Sequence, residues 1–405
     1  MPCGVTVPRI LLPAPDVDLT KWAVIACDQF SSEPDYWRQV EAVVGDGPSA
    51  YRLILPEAFL AESESRATVI HNTMRDYIEQ GVLRDAVHGF VLVERTVAAG
   101  KRLGLVVAVD LEQYDFDTGA RSLIRPTEGT ILRRLPPRVR IRRGAPLEAP
   151  HVMLLVDDPD CLLIEPLYDQ KDSLRSLYDV ELMQNGGRLR GWAVEGPGHL
   201  AGVAAALEAL NARADGLLFA MGDGNHSLAT ARQCWLDLRE GLSIEQRETH
   251  PARFALVEVV NLHEKTLVFE PIHRVLFHVS PRGFGDLWQA YLHAHKPEIE
   301  SIAPTPGCPC WRVLDGKNTL AVAVVQDFLS GFLPAHPESI IDYVHGEETM
   351  RLLCQAPDTA GFLLPAMDKA ALFPTVRADG VLPRKTFSMG EAWEKRYYME
   401  CRGID

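Results

Sequence analysis

Apolar and polar positions divide the chain into strands and helices before any chemistry is considered. The stretch "GFVLVERTVAAGKRLGLVVAVDLEQYDF" (89–116) carries two Val- and Leu-rich runs around an Ala-Gly-Lys turn, the pattern of a hairpin. Upstream, "SSEPDYWRQVEAVVG" predicts a helix with Ser32 as N-cap, Glu33 and Pro34 in the first turn and Gly45 at its end. Further helices are predicted over 62–80 and 198–213, the latter followed by a strand over 216–221. The stretch "RFALVEVVNLHEKTLVFEPIHRVLFHV" predicts two strands around a His-Glu-Lys-Thr turn, and 281–345 alternates helix and strand. After 375 a loop-like segment leads into a charged final helix, "GEAWEKRYYMECR". The fold class is α+β, a mixed α/β chain of mixed sheets with flanking helices.

With 405 residues the chain exceeds the usual single-domain size. Proline and charge clusters at 134–150 and 303–311 suggest an N-terminal α/β region over 1–150, a central region over 151–280 and a C-terminal α/β region over 281–405. An excess of acidic over basic side chains, 55 against 41, argues against general attraction to nucleic acid or to an anionic membrane. Any anionic ligand must then be held by a local cluster. The N-terminus lacks the basic region of a signal peptide, no apolar run is long enough to span a bilayer, and the eight cysteines form no CxxC pair. A reduced cytoplasmic setting, with a small molecule as partner, is the expectation; the oligomeric state is left open.

The most specific chemistry lies in "LLFAMGDGNHSLATARQCW" (217–235). An apolar strand runs through Gly222, Asp223, Gly224, Asn225 and His226 into a helix marked by Leu228, Ala231, Trp235 and Leu238. Ser227 and His226 therefore sit at a helix N-terminus, whose N–H groups and positive dipole end suit phosphate. Asp223 and His226 could add a metal ligand, a general base or a proton donor. The alternative is that Asp223 or Asn225 simply caps the helix.

Other stretches add candidates. In "RPTEGTILRRLPPRVRIRR" (125–143) six arginines fall between 133 and 143, and the alternation in "RVRIRR" would place Arg138, Arg140 and Arg142 on one face of a strand. Arg125, Glu128 and Thr130 belong to its first motif. Guanidinium forks match phosphate geometry, although a solvated strand face paired with carboxylates has the same pattern. Lys385 in "VLPRKTFSMG", His273 and Arg274 in "PIHRV", and Asp28, which closes a predicted strand in "AVIACDQF", complete the set.

Six ordered motifs, "ILLPAPDVDLTKWAVIACDQFSSEPDYW", "RPTEGT", "GDGNHSLATA", "PIHRV", "IDYVHG" and "LPRKTFSMG", resemble domain of unknown function family 1015 along nearly the whole chain. Many members are similar to Asp-Gly-His-His-Arg at the corner, which matches Asp223, Gly224 and His226; here Asn225 and Ser227 replace the first His and the Arg. That form in turn resembles the corner of the ParB and sulfiredoxin-like superfamily, which includes kinases of free serine. The resemblance implies a ParB/sulfiredoxin-like core and nucleotide or phosphate binding at the corner.

The function expected from these residues is phosphoryl transfer to a small hydroxylated metabolite, free serine among the candidates, from ATP, ADP or pyrophosphate with Mg2+. The helix start would hold donor phosphates, Arg125, Arg138 and Lys385 would offset charge, and Glu128 or Asp223 would take the acceptor proton. Two other readings stand beside it: a metal-dependent hydrolase of a small phosphorylated molecule using Asp223, His226 and Asp28, and a nucleotide-sensing ParB-like module.

Overall fold

The Val- and Leu-rich runs form strands Phe90–Val97 and Gly100–Asp110, joined through Ala98 and Ala99, at the centre of a nine-stranded mixed sheet. In this computed structural model, which describes residues 2–117, 119–305, 307–315 and 320–405, the chain folds as two units, Met1–Leu267 with Glu391–Asp405 and Val268–Gly390. The division differs from the one read from proline clusters. Strands on both sides of residue 150 belong to one sheet, and the last fifteen residues return to the first unit.

Alternation on those strands builds two cores. Phe90 and Leu92 face one side with the buried faces of helices Pro197–Arg213 and Asn225–Arg239. Val91 and Val93 face the other, against Trp37 and Val40 of helix Pro34–Val44 and Ile70 and Met74 of helix Ser63–Glu79. Each apolar residue on a strand with both faces covered is thus enclosed, which is why these runs are nearly continuous in Val and Leu. Helix Pro34–Val44 starts after Glu33 rather than Ser32, and without a side-chain cap.

Strand Phe219–Asp223 lies near one edge of the sheet, antiparallel to Met153–Val156 and parallel to Ile124–Arg125. The register with Met153–Val156 shifts between Met221 and Asp223, so the strand bends as it reaches Gly222. The two motifs at 125 and 222 therefore leave the sheet side by side.

Two elements differ from their predicted form. The basic segment is helix Leu135–Arg142, not a strand, because Pro136 and Pro137 occupy its first turn, where the fixed proline φ starts a helix. Its guanidinium groups point to separate partners: Arg138 to Glu57, Arg140 to Ser63, Arg142 to Glu148 and Arg143 to Asp237. The expected charged final helix is a short helical turn at Ala392–Glu394 followed by strands Tyr397–Tyr398 and Arg402–Gly403. Tyr397 and Tyr398 pair with Ile25 and Val24, and Arg402 and Gly403 with Glu148 and Leu147.

The return of this segment is anchored by Arg396, only 4% exposed, whose guanidinium bonds to Glu258 and, at 2.6 Å, to Glu400. Its Nε donates to the Pro150 carbonyl at 3.2 Å. The Tyr178 hydroxyl donates to Glu400, so the buried charges are met by hydrogen bonds as well as by each other.

The second unit holds a sheet in the order 300–302, 310–314, 359–363, 269–277, 340–345, with 387–389 paired to the start of Phe269–Phe277. Phe284, Trp288, Phe328 and Phe362 pack its core. The two strands predicted around the His-Glu-Lys-Thr turn exist, but Phe254–Asn261 belongs to the first unit and Phe269–Phe277 to the second.

Replacing Arg396 with Leu strands two buried carboxylates, so the variant is expected to lose about 3–5 kcal/mol of stability, measurable by urea unfolding at neutral pH. A loss below about 1 kcal/mol would show that the C-terminal segment docks without this triad.

Candidate functional site

The corner is built by Gly224, the N-cap of helix Asn225–Arg239, at φ 78° and ψ 26°. A side chain there would be strained, and its Cβ would stand 3.0 Å from the Val152 Cα and 3.5 Å from the His151 Cδ2. Only glycine lets the corner press onto residues 151–152. The helix has no side-chain cap: the Asp223 carboxylate accepts from the Gly224 N–H at 2.9 Å, and Asn225 turns to another loop. The capping alternative is therefore not what these side chains do. The start of the helix keeps N–H groups that no carbonyl within the helix can accept.

Asn225 ties the corner to "RPTEGT". Its amide donates to the Glu128 carbonyl at 3.0 Å, while the Tyr114 and Thr130 hydroxyls each donate to its carbonyl oxygen at 3.3 Å. The Ile131 N–H donates to His226 Nε2 at 3.4 Å, which assigns the proton of the neutral ring to Nδ1. Thr127 bonds to the Met221 carbonyl at 2.9 Å. Residues nearly a hundred positions apart thus form one end of the sheet, with Glu128, Asp223 and His226 all half-buried around the helix start.

Two further groups arrive from distant segments. Lys395, from the returning C-terminus, places its ammonium 3.5 Å from the Asp223 carboxylate, with both side chains mostly buried. Ser227 lies within hydrogen-bond distance of His151 Nε2, at 3.2 Å, and the same nitrogen is 3.6 Å from the Asp28 carboxylate. His151 Nδ1 is 2.7 Å from the Tyr398 hydroxyl, which also accepts from the Cys27 N–H at 3.1 Å. Burial works against the His151 cation, but the Asp28 charge and the hydrogen bonds around it raise its pKa well above the ordinary value. Burial likewise works against the Asp28 carboxylate, yet the His151 charge, the bonds to His151 and Gln29, and Lys395 hold it below the usual carboxylate range.

The remaining predicted residues take other places. Arg125 is buried beside the Phe219 strand, with Nη1 donating to the Ala120 carbonyl at 3.2 Å. Arg138 pairs with Glu57. His273, Arg274 and Lys385 belong to the second unit. There His273 is buried and accepts from the Leu364 N–H at 3.1 Å, its pKa pushed down to about 4 chiefly by burial. Arg274, also buried, donates to the Arg384 and Lys385 carbonyls at 3.0 and 2.9 Å and so shapes the "LPRKTF" loop. Lys385 itself is exposed, at φ 59°. Among the described residues no group of three or more His, Cys, Asp or Glu side chains is arranged to hold a metal ion, and no helix is long and apolar enough to cross a membrane.

Sequence reasoning missed His151, Lys395, Tyr398 and Glu57. "EAPHVMLL" offers only a proline before a strand, and Lys395 and Tyr398 lie in the segment predicted as a final helix.

The His151–Asp28 pair stabilises the fold in a window of pH. The imidazolium contribution is complete below about pH 6.5 and is lost as pH rises through the raised His151 value. The carboxylate contribution is present above about pH 3.9 and is lost as pH falls through the depressed Asp28 value. His151 is therefore expected to show no protonation step between about pH 6 and 7 by NMR, and Asp28→Asn to bring its titration down toward about 6.5. A wild-type His151 titrating near 6.5 would contradict the pairing.

Several solved structures match the chain at low similarity. A free serine kinase mutant in complex with AMP matches at 10% identity and TM-score 0.38, over 73% of this chain and 90% of that one. A conserved hypothetical protein from Pyrococcus furiosus matches at 11% and 0.34, over 73% and 90%. SbnI with a C-terminal truncation from Staphylococcus aureus matches at 9% and 0.35, over 73% and 81%. Among curated proteins none matches. The model of one family covers residues 10–370, most of the chain, and the protein therefore belongs to that family, described as Protein of unknown function (DUF1015).

Proposed function

We propose that this protein is a phosphotransferase acting on a small hydroxylated metabolite, with a nucleotide or pyrophosphate as donor. The observation that carries the reading is the convergence at the corner: an uncapped helix start, the Glu128 loop tied to Asn225, and Lys395 beside Asp223. Phosphoryl transfer asks a protein mainly for positioning and for charge neutralisation, and these groups supply both.

In this reading the helix start and Lys395 receive the donor phosphates, and His226 donates from Nδ1 to an oxygen of the transferred group. Lys395 takes the place that Arg138 and Lys385 held in the sequence-based expectation. Glu128, whose carbonyl Asn225 holds at the corner, is the base in this reading. The acceptor oxygen forms the new bond to phosphorus as its proton passes to the Glu128 carboxylate, and the donor's bridging bond breaks with its electrons on the departing phosphate oxygen.

Mg2+ is commonly held by one or two carboxylates together with substrate phosphates rather than by an all-protein cage. Asp223 at the corner fits that requirement. Magnesium, when bound, neutralises the phosphate oxygens. The metal-dependent hydrolase reading gains no support from Asp28, which is engaged with His151.

Thermal unfolding with ATP, ADP, pyrophosphate and inorganic phosphate, with and without magnesium, tests the reading. Ligand at about a hundred times its dissociation constant adds roughly 2.7 kcal/mol of stability, and the shift is expected to vanish in His226→Ala and Lys395→Ala. Glu128→Gln is expected to keep the ADP shift and to lose about 10²–10⁴-fold in turnover. No shift from any phosphate ligand in the folded protein would overturn the proposal.

A further inference from the structure

Behind the corner lies a cavity of about 140 Å3. Ser227, Leu228 and Ala231 of the corner helix form one wall, and Leu53, Met74 and Leu256 are among the apolar residues that form the others. Besides Thr230, Arg142 and Glu148, polar groups lie where the cavity meets the corner. His151 and Ser227 line it there, beside Gly224, whose close approach to residues 151–152 fixes the spacing. Cys27 and the Arg138–Glu57 pair belong to the same end, since the Glu57 N–H donates to the Cys27 carbonyl at 2.7 Å.

Every charge in this wall already has a partner. Arg138 is paired with Glu57, His151 with Asp28, and Arg142 with Glu148 at 2.6 Å, a carboxylate it shares with Arg402 at 2.8 Å. An ionic ligand would have to break one of these pairs, and a zwitterion would need two partners that the apolar walls do not supply. A neutral ligand with an apolar body needs neither. The volume is close to the roughly 150 Å3 of an apolar cavity that accepts benzene, which sets the size of that body.

We propose that this cavity is the acceptor pocket and that the acceptor is an uncharged alcohol with a compact apolar body, its hydroxyl held at the Ser227–His151 end. The inference rests on the phosphotransferase reading for the fate of the hydroxyl, whereas the binding itself stands apart from it. His151, 4% exposed and bonded to both Ser227 and Tyr398, acts here as a fixed hydrogen-bond donor that orients Ser227 and the incoming oxygen, not as the base. Free serine, small and zwitterionic, is the wrong chemistry for these walls.

Isothermal titration calorimetry of the full chain with benzyl alcohol, 1-hexanol and free serine, each with and without ADP, tests the assignment. The apolar alcohols are expected to bind at one site per chain at least tenfold more tightly than serine. Ala231→Leu, which fills the pocket from the corner helix, is expected to abolish their binding and retain that of ADP. Leu60→Trp, at a half-buried position in the lining, gives the same test with less strain on the core. Serine binding as tightly as the alcohols, or alcohol binding unchanged in both folded variants, would overturn the pocket. So would ADP binding with no alcohol binding, which leaves the corner reading intact. Alcohol binding with no ADP binding would uphold the pocket and remove the phosphotransferase reading instead.

Discussion

The Arg396 guanidinium, enclosed between Glu258 on the central sheet and Glu400 four residues along, decides where the last residues of the chain lie. Buried charges of this kind add little net stability compared with an apolar contact, but they are costly to misplace. One register satisfies both carboxylates, and it sets Lys395 beside Asp223 and Tyr398 beside His151. The same register pairs Tyr397 and Tyr398 with Ile25 and Val24, which fixes strand Val24–Ile25 just before the turn that holds Cys27 and Asp28. A single ion triad thus brings the N-terminal and C-terminal segments to the two sides of one corner.

The corner itself depends on a close approach. Gly224 in the left-handed region brings the helix start onto Val152, and the irregularity at Gly222 shifts Asp223, the last residue of its strand, into register with Met153. Asn225 then crosslinks this turn to the Glu128 loop. Its amide and its carbonyl are both used, so exchange for an apolar side chain would release the loop as well as the turn. At this position the chain has a group that can donate and accept at once. The electrostatic pattern follows: a cation and a carboxylate at the mouth, and a protonated histidine with its counter-ion just inside.

Much of the fold was legible because it rests on local rules. The hairpin at 89–116 shows in its Val and Leu runs, the helix after Ser32 in its proline and terminal glycine, and the corner in its two glycines before a helical period. The basic segment misled because "RVRIRR" alternates as a strand would, whereas the Pro-Pro pair just before it starts a helix. The C-terminal segment misled for a different reason: its charges suit an exposed helix, but Arg396, Glu400 and Arg402 are buried partners of the sheet. No local pattern marks His151 or Lys395, whose roles exist only through contacts with residues more than seventy positions away. Tertiary charge pairing was the information missing from the sequence.

Hydrogen–deuterium exchange of the full-length protein with saturating ADP and magnesium gives the most direct test that the corner is the phosphate site. The account predicts slower exchange in two separate peptides, one covering 222–228 and one covering 125–131, because both contribute to the same end of the sheet. Protection confined to other segments, with both of these unchanged while ADP is bound, would contradict it.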